Sequence, residues 1–348
     1  MTADLEFAEA ASGLAPIALR AAATLRMADH IAAGHDTVLS LAERTGTDPD
    51  LLSRVLRFLA CRGVFAEPRP GTYALTHLSL TLLEGHPSGL CDWLDASGAG
   101  ARMDAAVGDL LGALRSGEPS YPRLHGRPFY EDLALQSSGP AFDSLRHTHA
   151  ESYVSDLLAA YPWDQARRIV DVGGGTGVLV EALMRTHNTL RTVLLDLPGA
   201  VAAATARIAA AGFGDRFTPV SGSFFEPLPA GADVYTLVNV VHNWNDEQAA
   251  AILRRCSEAG RRDSTFIIVE RLVDHADPRA ITAMDLRMFL FLGGKERTAA
   301  QLRELASAAG MAYQSMVETP PGLQLLVFRK RRSWSPRVRA AKGDGSPS

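Results

Sequence analysis

The sequence predicts an α/β domain with a mostly parallel sheet, preceded by an α-helical domain of the winged-helix type. From Arg168 onward, apolar β-rich runs alternate with alanine-rich helical stretches, which is typical of strand–helix–strand units and a buried parallel sheet. Before that point the chain has short amphipathic helices and one candidate hairpin. The 348 residues, 47% hydrophobic and 21% charged, suffice for a sizeable core and for about two domains.

Residues 1–100 carry a helix–turn–helix–wing pattern. Thr37 or Ser40 is a candidate cap of one helix, and Asp48 followed by Pro49 is a typical start of the next. A hairpin over 64–75, with its turn at 68–71, forms the wing. This order indicates a winged-helix domain.

The rest of the chain divides into three further segments. Residues 101–160 are predicted to be helical, with a loop over 117–128, and residues 161–330 form the α/β domain. The tail 331–348 is rich in Arg, Ser, Pro and Gly, and we expect it to be disordered. The expected strands of the α/β domain are 168–172, 192–195, 217–220, 234–241 and 265–270, closed by the pair 311–318 and 323–329.

Charge and cysteine content exclude several classes of protein. The net charge of −4 argues against a nucleic-acid partner. The three cysteines form no CxxC pair, so we expect neither a disulfide framework nor a cysteine metal site. The first residues are acidic and lack a basic signal region, and no uncharged apolar stretch reaches about 18 residues. We therefore expect a cytoplasmic protein with no metal and no contact with a membrane.

A glycine-rich loop follows the first strand of the α/β domain, at 171–177 in the string DVGGGTG. Glycine is needed where the backbone approaches a ligand closely. Asp196 ends the second strand about 20 residues later, where a carboxylate can accept both hydroxyls of a ribose. At the end of the third strand, Phe224 could cover an adenine and Ser223 could contact its amine, although two adjacent phenylalanines can also be core residues. The pattern indicates a nucleoside site.

Five motifs in order then mark a resemblance. D-x-G-G-G-x-G, L-x-D-L-P, G-x-F-F-E-P-L-P, H-x-W-N-D and G-G-K-E-R-T resemble the S-adenosylmethionine-dependent small-molecule O-methyltransferases with an N-terminal winged-helix dimerisation domain, over residues 10–330. The bacterial anthracycline and aromatic polyketide branch is the most similar. The resemblance implies a Rossmann-like class I methyltransferase domain, a homodimer, and S-adenosylmethionine held at Gly173, Gly175, Asp196, Ser223 and Phe224. The family usually has aspartate where Ser223 stands, so we expect weaker cofactor binding.

A histidine is the candidate base. A phenol with a pKa near 10 must lose its proton, and histidine is the side chain that titrates closest to neutral pH. We expect His242 to end the fourth strand, at the edge of the sheet that faces ligands. The resemblance places Glu270 and Glu296 beside it, where a carboxylate fixes the imidazole tautomer and favours the imidazolium. Either acid could instead lie on the surface, and Glu296 could pair with Arg297.

Substrate contacts are implied by the resemblance alone. The family binds substrate against the helix that carries 284–291, although an apolar stripe of this kind is more often core, and against the helix around 142–149. Arg146 could bind a substrate carboxylate or be solvated. Asn243 stands where the family more often has aspartate. The expected contacts are Arg146, His149, Asn243, Met284, Arg287 and Met288.

The sequence thus predicts an O-methyltransferase that acts on a phenolic hydroxyl of an aromatic, polyketide-type metabolite by in-line displacement. C- or N-methylation remains an alternative, as does decarboxylation or hydroxylation, which some relatives in this branch perform without the histidine. A DNA-binding regulator is disfavoured because the second helix offers Arg54 and Arg57 after an acidic start. The apolar residues expected to lie in a dimer interface are Leu14, Ile17, Leu25, Met27 and Ile31.

Overall fold

The computed structural model describes residues 12–135, 139–320 and 322–331, and the chain divides into two compact units. The first holds the chain up to Tyr153 together with Phe289–Gly293. The second holds Val154–Met288 and the chain from Gly294 onward. The four segment boundaries drawn from the sequence stay a prediction. The tail that we expect to be disordered lies outside the described residues from 332 onward.

The first unit begins with the winged-helix pattern, and both predicted helix starts are confirmed. The Thr37 side chain accepts the N–H of Ser40, and the Asp48 side chain accepts that of Leu51, with Pro49 as the first helical residue. The elements are α1 (Leu14–Thr24), α2 (Met27–Ala32), α3 (Val38–Thr45), α4 (Pro49–Ala60), β1 (Phe65–Arg69) and β2 (Thr72–Leu75).

The apolar residues of these first helices have two different surroundings. Leu14 is 53% exposed and Ile17 67% exposed, as expected for an unpaired apolar surface. Met27 and Ile31 are instead buried in the core of their own unit, beside Leu56. The expectation that all five apolar residues lie in an exposed dimer interface is therefore wrong for these two, and Leu25 is half-buried against the same core.

The rest of the first unit is helical, and the loop predicted over 117–128 is wrong because a short helix lies within it. Pro122 falls in the first turn of that helix, where its missing N–H is not needed. The buried Tyr121 hydroxyl donates to Asp132 at 2.7 Å, which holds the helix in place. After a 3₁₀ turn (Ser79–Leu82) the elements are α5 (Leu90–Leu94), α6 (Ala99–Gly108), α7 (Leu110–Ser116), α8 (Ser120–His125), α9 (Phe129–Leu135) and α10 (Gly139–Glu151).

The second unit contains a seven-stranded sheet. Its strands are β3 (Arg168–Val172), β4 (Arg191–Asp196), β5 (Phe217–Ser221), β6 (Val234–Val238), β7 (Thr265–Glu270), β8 (Met311–Glu318) and β9 (Gln324–Lys330). Its helices are α11 (Val154–Ala159), α12 (Val178–Thr186), α13 (Pro198–Ala210), α14 (Asp246–Ala259), α15 (Pro278–Leu292, which extends into the first unit) and α16 (Ala299–Ala308).

The strand order is β5-β4-β3-β6-β7-β9-β8. Strands β3 to β7 pair in parallel, and β8 and β9 close the sheet antiparallel, as the sequence predicts. The order reverses between β3 and β6, so the segments that follow these two strands leave the same edge side by side. Ligands bind at such a reversal in open α/β sheets.

Both faces of the sheet are buried. In β4, Val193 and Leu195 belong to the cluster that includes residues of α14 and α16, whereas Leu194 belongs to the cluster with α12 and α13. Successive side chains of a strand point to opposite faces, so the two helix pairs cover opposite sides.

The predicted fourth strand is too long. It was expected to run to residue 241, but β6 ends at Val238 and Asn239 has a left-handed backbone with φ of 53°. A 3₁₀ turn over Val241–Asn243 follows. His242 therefore lies in this turn, beyond the strand end rather than at it.

Candidate active site

The glycine loop between β3 and α12 requires glycine at several positions. Gly173, Gly175 and Gly177 have φ of 74°, 57° and 81°, in the left-handed region that favours glycine. A Cβ on Gly173 would lie 2.7 Å from the Val240 side chain. The Gly173 N–H donates to the Leu195 carbonyl at 2.8 Å. The loop therefore packs closely between the ends of β4 and β6.

Asp196, at the end of β4, is in direct contact with this loop. Its Oδ2 accepts the N–H of Gly175 at 2.7 Å, and its Oδ1 accepts the N–H of Leu197 at 2.7 Å. A carboxylate oxygen can accept more than one hydrogen bond, so both oxygens keep capacity for ligand hydroxyls. Two of the residues expected at the cofactor are thus brought together.

A second carboxyl lies behind the loop. Asp171 is 3% exposed, and Thr236 Oγ1 donates to its Oδ1 at 2.6 Å. Burial raises the pKa of Asp171 to about 7, against the Thr236 hydrogen bond, and the charge of Asp196 acts in the same direction as burial. The buried Asp171 carboxyl therefore packs against the glycine loop, where a Cβ on Gly174 would lie 2.6 Å from its Oδ2.

Phe224 is half-buried beside the glycine loop. A Cβ on Gly173 would lie 3.7 Å from its ring, and its ring centroid is 5.6 Å from that of Trp244. The exposed Ser223 uses its Oγ to accept the N–H of Phe225 at 3.2 Å. The aromatic residue and the loop therefore adjoin, while the serine supports its own turn.

Glu270 fixes the turn that carries His242. The carboxyl group ends β7 and is 3% exposed, and its Oε1 accepts the N–H of Val241 at 2.7 Å and that of His242 at 3.3 Å. Two backbone donors at the start of the 3₁₀ turn are thereby satisfied. Its Oε2 lies 3.9 Å from His242 Nδ1, so its effect on the imidazole is mainly electrostatic.

Glu296 makes the direct contact with the imidazole. Its Oε1 lies 2.8 Å from His242 Nδ1, and its side chain is 1% exposed against 18% for His242. Asp285 Oδ1 accepts the backbone N–H of Glu296 at 2.8 Å. Arg297 pairs with Asp246. The alternative of a Glu296–Arg297 ion pair is therefore not what the structure has.

The two carboxylates increase the proton affinity of the imidazole. Burial opposes the charged form, but the charges of Glu270 and Glu296 and the hydrogen bond to Glu296 outweigh it and raise the pKa of His242 to about 9. Burial also raises the pKa of the Glu270 carboxyl to about 7, and the attraction of His242 opposes this. His242 is therefore a stronger base than a free histidine.

The segment that carries Glu296 passes very close to the histidine backbone. A Cβ on Gly294 would collide with the carbonyl oxygen of His242 and lie 2.7 Å from the carbonyl carbon of Asn243. The Lys295 N–H donates to the His242 carbonyl at 2.9 Å. Sequence reasoning missed Asp285 and Gly294. Gly294 lies in the G-G-K-E-R-T string that carried the resemblance, but a close backbone approach leaves no chemical signature in a sequence.

Comparisons with known proteins now identify the family. A family model described as an O-methyltransferase domain matches residues 108–312, and one described as an O-methyltransferase dimerisation domain matches residues 9–85. The chain belongs to the O-methyltransferase family. The expected family is confirmed, as is the Rossmann-like α/β fold class with a helical dimerisation domain.

Three relatives show how similar this O-methyltransferase is to known members. The 2,7-dihydroxy-5-methyl-1-naphthoate 7-O-methyltransferase of Streptomyces carzinostaticus is 42% identical over 301 residues, which cover 86% of this chain and 90% of that protein. The aclacinomycin 10-hydroxylase RdmB of Streptomyces purpurascens is 40% identical over 306 residues, covering 86% and 82%. The crystal structure of NcsB1, an O-methyltransferase from neocarzinostatin biosynthesis in complex with S-adenosylmethionine and 2-hydroxy-5-methyl naphthoic acid, has a TM-score of 0.84 at 40% identity, covering 92% and 98%.

The expected substrate residues of the second unit lie on two elements. Asn243 Nδ2 donates to the Asn239 carbonyl at 3.3 Å, so its amide braces the histidine turn. On α15, Met284 and Met288 are half-buried and Arg287 is exposed. Their contact with substrate stays a prediction.

The other two expected substrate residues lie on α10 of the first unit. The Arg146 guanidinium is 5.8 Å from the centre of the Phe142 ring, and the His149 ring is 5.3 Å from that of Tyr153. Their role also stays a prediction.

Two features are absent from the described part of the O-methyltransferase. Over residues 12–135, 139–320 and 322–331, no cluster of three His, Cys, Asp or Glu side chains could hold a metal ion. Within the same ranges, no helix has the length and apolar character needed to cross a membrane.

Proposed function

We propose that this O-methyltransferase uses S-adenosylmethionine to methylate a phenolic hydroxyl of a fused-ring aromatic metabolite. The observation that carries the proposal is the 2.8 Å contact between His242 Nδ1 and Glu296 Oε1. An imidazole held by a carboxylate at the ligand edge of the sheet is the group needed to take a phenol's proton. The name of the Streptomyces carzinostaticus relative and the naphthoic acid bound to NcsB1 support the class of substrate.

The chemistry of the loop fits a cofactor that contains a ribose and an adenine. Both oxygens of Asp196 keep acceptor capacity for ribose hydroxyls, and Phe224 offers an aromatic face beside the loop. In this proposal the backbone of Gly173 and Gly175 approaches the cofactor closely. Ser223 lies beside the adenine of the cofactor. When bound, S-adenosylmethionine supplies a methyl group that its positively charged sulfur already activates.

His242 acts as the base in this proposal. With Nδ1 donating to Glu296, the neutral imidazole has its proton on Nδ1 and its lone pair on Nε2; this tautomer is assigned from the hydrogen bond. Nε2 accepts the phenolic proton, and Glu296 stabilises the imidazolium that forms. Glu270 adds a second negative charge and keeps the histidine turn in place through Val241. The phenolic oxygen is left as the nucleophile.

The substrate site combines apolar and positively charged side chains in this proposal. Flexible methionines suit a flat aromatic ligand. An arginine can hold a carboxylate such as that of a naphthoate through two hydrogen bonds. The residues that we assign to substrate contacts are Met284, Met288, Arg287, Asn243, Arg146 and His149.

Product analysis tests the proposal. The full chain is incubated with methyl-labelled S-adenosylmethionine and 2,7-dihydroxy-5-methyl-1-naphthoate, and products are examined by mass spectrometry and NMR. We expect one O-methyl group, with kcat reduced by about 10² or more in His242→Ala. Cofactor affinity, measured by calorimetry, should stay unchanged. An equal rate in the variant, or a methyl group on carbon, would contradict the proposal.

A second candidate is hydroxylation, which the 40% identity to aclacinomycin 10-hydroxylase RdmB favours. The same mass spectra, taken from incubations that also contain dioxygen and a reductant, distinguish the two functions. A product that gains oxygen, with no labelled methyl group, would support this second candidate.

We also propose that the protein is a homodimer. The match to a dimerisation domain over 9–85 and the exposed apolar side chains of Leu14 and Ile17 support a self-association surface. Light scattering should give the mass of a dimer at micromolar concentration, and Ile17→Asp should lower it toward that of a monomer. A monomeric wild type would contradict this.

The three unpaired cysteines support a location in the reducing cytoplasm.

A further inference from the structure

Arg297 is a buried charge next to the catalytic carboxylate in sequence, but it is directed elsewhere. Its side chain is 3% exposed. Nε donates to Asp246 Oδ1 at 3.0 Å, and Nη2 lies 2.9 Å from the same oxygen. Nη1 donates to the carbonyls of Val241 and Lys295, both at 3.0 Å, and Nη2 donates to that of Trp244 at 2.8 Å. These contacts use all the donors that a guanidinium has.

The acceptors lie on both sides of the catalytic pair. Val241 precedes His242, Trp244 follows it by two residues, and Lys295 precedes Glu296. One rigid planar group therefore joins the histidine turn to the glutamate segment. Between these two segments the Lys295 N–H also donates to the His242 carbonyl at 2.9 Å. The relative position of imidazole and carboxylate is thus set by their backbones, and Arg297 fixes those backbones.

We propose that Arg297 is a positioning residue that holds His242 and Glu296 at hydrogen-bonding distance by joining the backbones that carry them. The proposal rests on the proposed role of His242 as the base. Arg297 does not touch substrate in this proposal, and it acts through the two residues that it aligns. A displacement of about 1 Å in such a pair can reduce a rate about 10²-fold.

The alignment of the two segments requires arginine rather than another positively charged residue. Lysine would keep the positive charge beside Asp246, but its single ammonium cannot present planar donors toward three carbonyls on two segments. Lysine should therefore retain the fold and lose the alignment, whereas methionine should lose both the charge and the hydrogen bonds.

The second unit offers a matched control in Arg216. This half-buried arginine precedes β5, at the sheet edge opposite the site, and also donates to three backbone carbonyls. Nη1 donates to His187 at 2.8 Å and to Leu190 at 3.3 Å, and Nη2 donates to Met184 at 2.8 Å. Arg216→Lys should cost stability without affecting the histidine.

The test compares Arg297→Lys, Arg297→Met and Arg216→Lys in the full chain. Side-chain NMR titration of His242, assigned with His242→Ala, needs no substrate. Urea unfolding reports stability, and steady-state kinetics with 2,7-dihydroxy-5-methyl-1-naphthoate separates kcat from KM. We expect the pKa of His242 to fall by about one unit or more in both Arg297 variants, as its carboxylate contact lengthens. We expect kcat to fall roughly tenfold for lysine and roughly 10²-fold for methionine, with KM little changed.

The proposal is overturned if the Arg297 variants change the His242 titration no more than Arg216→Lys does at an equal loss of stability. Asp246→Asn covers the case in which neither Arg297 variant folds, because this carboxylate is 55% exposed and its loss leaves the arginine in place. It should lower the pKa of His242 in the same direction by a smaller amount, and an unchanged pKa would count against the proposal. If the pKa of His242 falls as expected in the Arg297 variants but the wild type does not methylate the naphthoate, only the proposed function is contradicted.

Discussion

The substitution Glu296→Gln isolates the charge that supports His242, the proposed base. Glutamine keeps the size of the side chain and an oxygen that can accept from His242 Nδ1, so mainly the negative charge is lost. At a 2.8 Å separation and an effective dielectric constant of about 20, the Coulomb energy of a charge pair is about 6 kcal/mol. The imidazolium charge is spread over the ring and the remaining hydrogen bond persists, so we expect roughly 1.4–2.7 kcal/mol, which is about one to two pKa units.

The sign of this change determines the pH profile. In the proposed mechanism the neutral imidazole is the active form, so kcat/KM should rise with pH until His242 has lost its proton. The pKa of His242, about 9, should fall to about 7–8 in Glu296→Gln, so the rising limb should move to lower pH. The plateau should also be lower, because the base is weaker.

The assay is kcat/KM for one hydroxynaphthoate between about pH 6 and 10, with saturating cofactor. The substrate is the same in both enzymes, so its own ionisation does not affect the difference between their profiles. Glu304→Gln, an exposed acid on α16, is the control and should leave the profile unchanged. A lower plateau with an unmoved rising limb would refute the electrostatic role of Glu296 and leave it only a packing role.

Three further predictions concern the loop and the histidine turn. Because burial raises the pKa of Asp171 to about 7, the native state binds more protons than the unfolded state between about pH 4 and 7, and stability falls as pH rises through this range. Asp171→Asn should lack this fall and be more stable at pH 8 by roughly 1–4 kcal/mol in urea unfolding; equal or lower stability would contradict the reasoning. Gly294→Ala should push the glutamate segment away from the His242 carbonyl and lower kcat about tenfold or more, with cofactor affinity unchanged in calorimetry; a normal kcat would mean that the segments adjust freely. Ser223→Asp should tighten S-adenosylmethionine binding up to about tenfold, since charged hydrogen bonds exceed neutral ones, and weaker binding would show that this position does not face the adenine.

Much of the sheet was predictable because buried parallel strands are continuous apolar runs between turn signals. The bounds of β3 and β7 agree with their predictions to the residue. The strand predicted to reach residue 241 is too long, since Val240 and Val241 are as apolar and β-branched as the strand before them. What ends β6 is the left-handed Asn239 and the carboxylate of Glu270, 29 residues from Val241 in sequence. A sequence pattern does not show such distant contacts.

The candidate site was also only partly predictable from the sequence. His242 and Glu296 are 54 residues apart in sequence, and the resemblance of ordered motifs suggested both. It could not show that Glu296 contacts the imidazole directly, while Glu270 binds the backbone of the turn and acts on the imidazole through its charge. The sequence suggests Arg297 only as a possible partner of Glu296, because neighbouring opposite charges favour an ion pair. Its actual acceptors are mostly backbone carbonyls, which every residue has, so composition gives no signal for them.

The most direct test of His242 as the base varies the acidity of the substrate. Rates of methyl transfer at one pH are measured for wild type and His242→Ala with a series of phenols, from weakly acidic ones to ones already ionised. We expect the rate of methyl transfer in the variant to be about 10²-fold or more below that of wild type with a phenol of pKa near 10. The two rates should become equal for phenols that are already ionised in solution. An equal loss across the series would contradict the assignment of His242 as the base, and would mean that it orients the substrate instead.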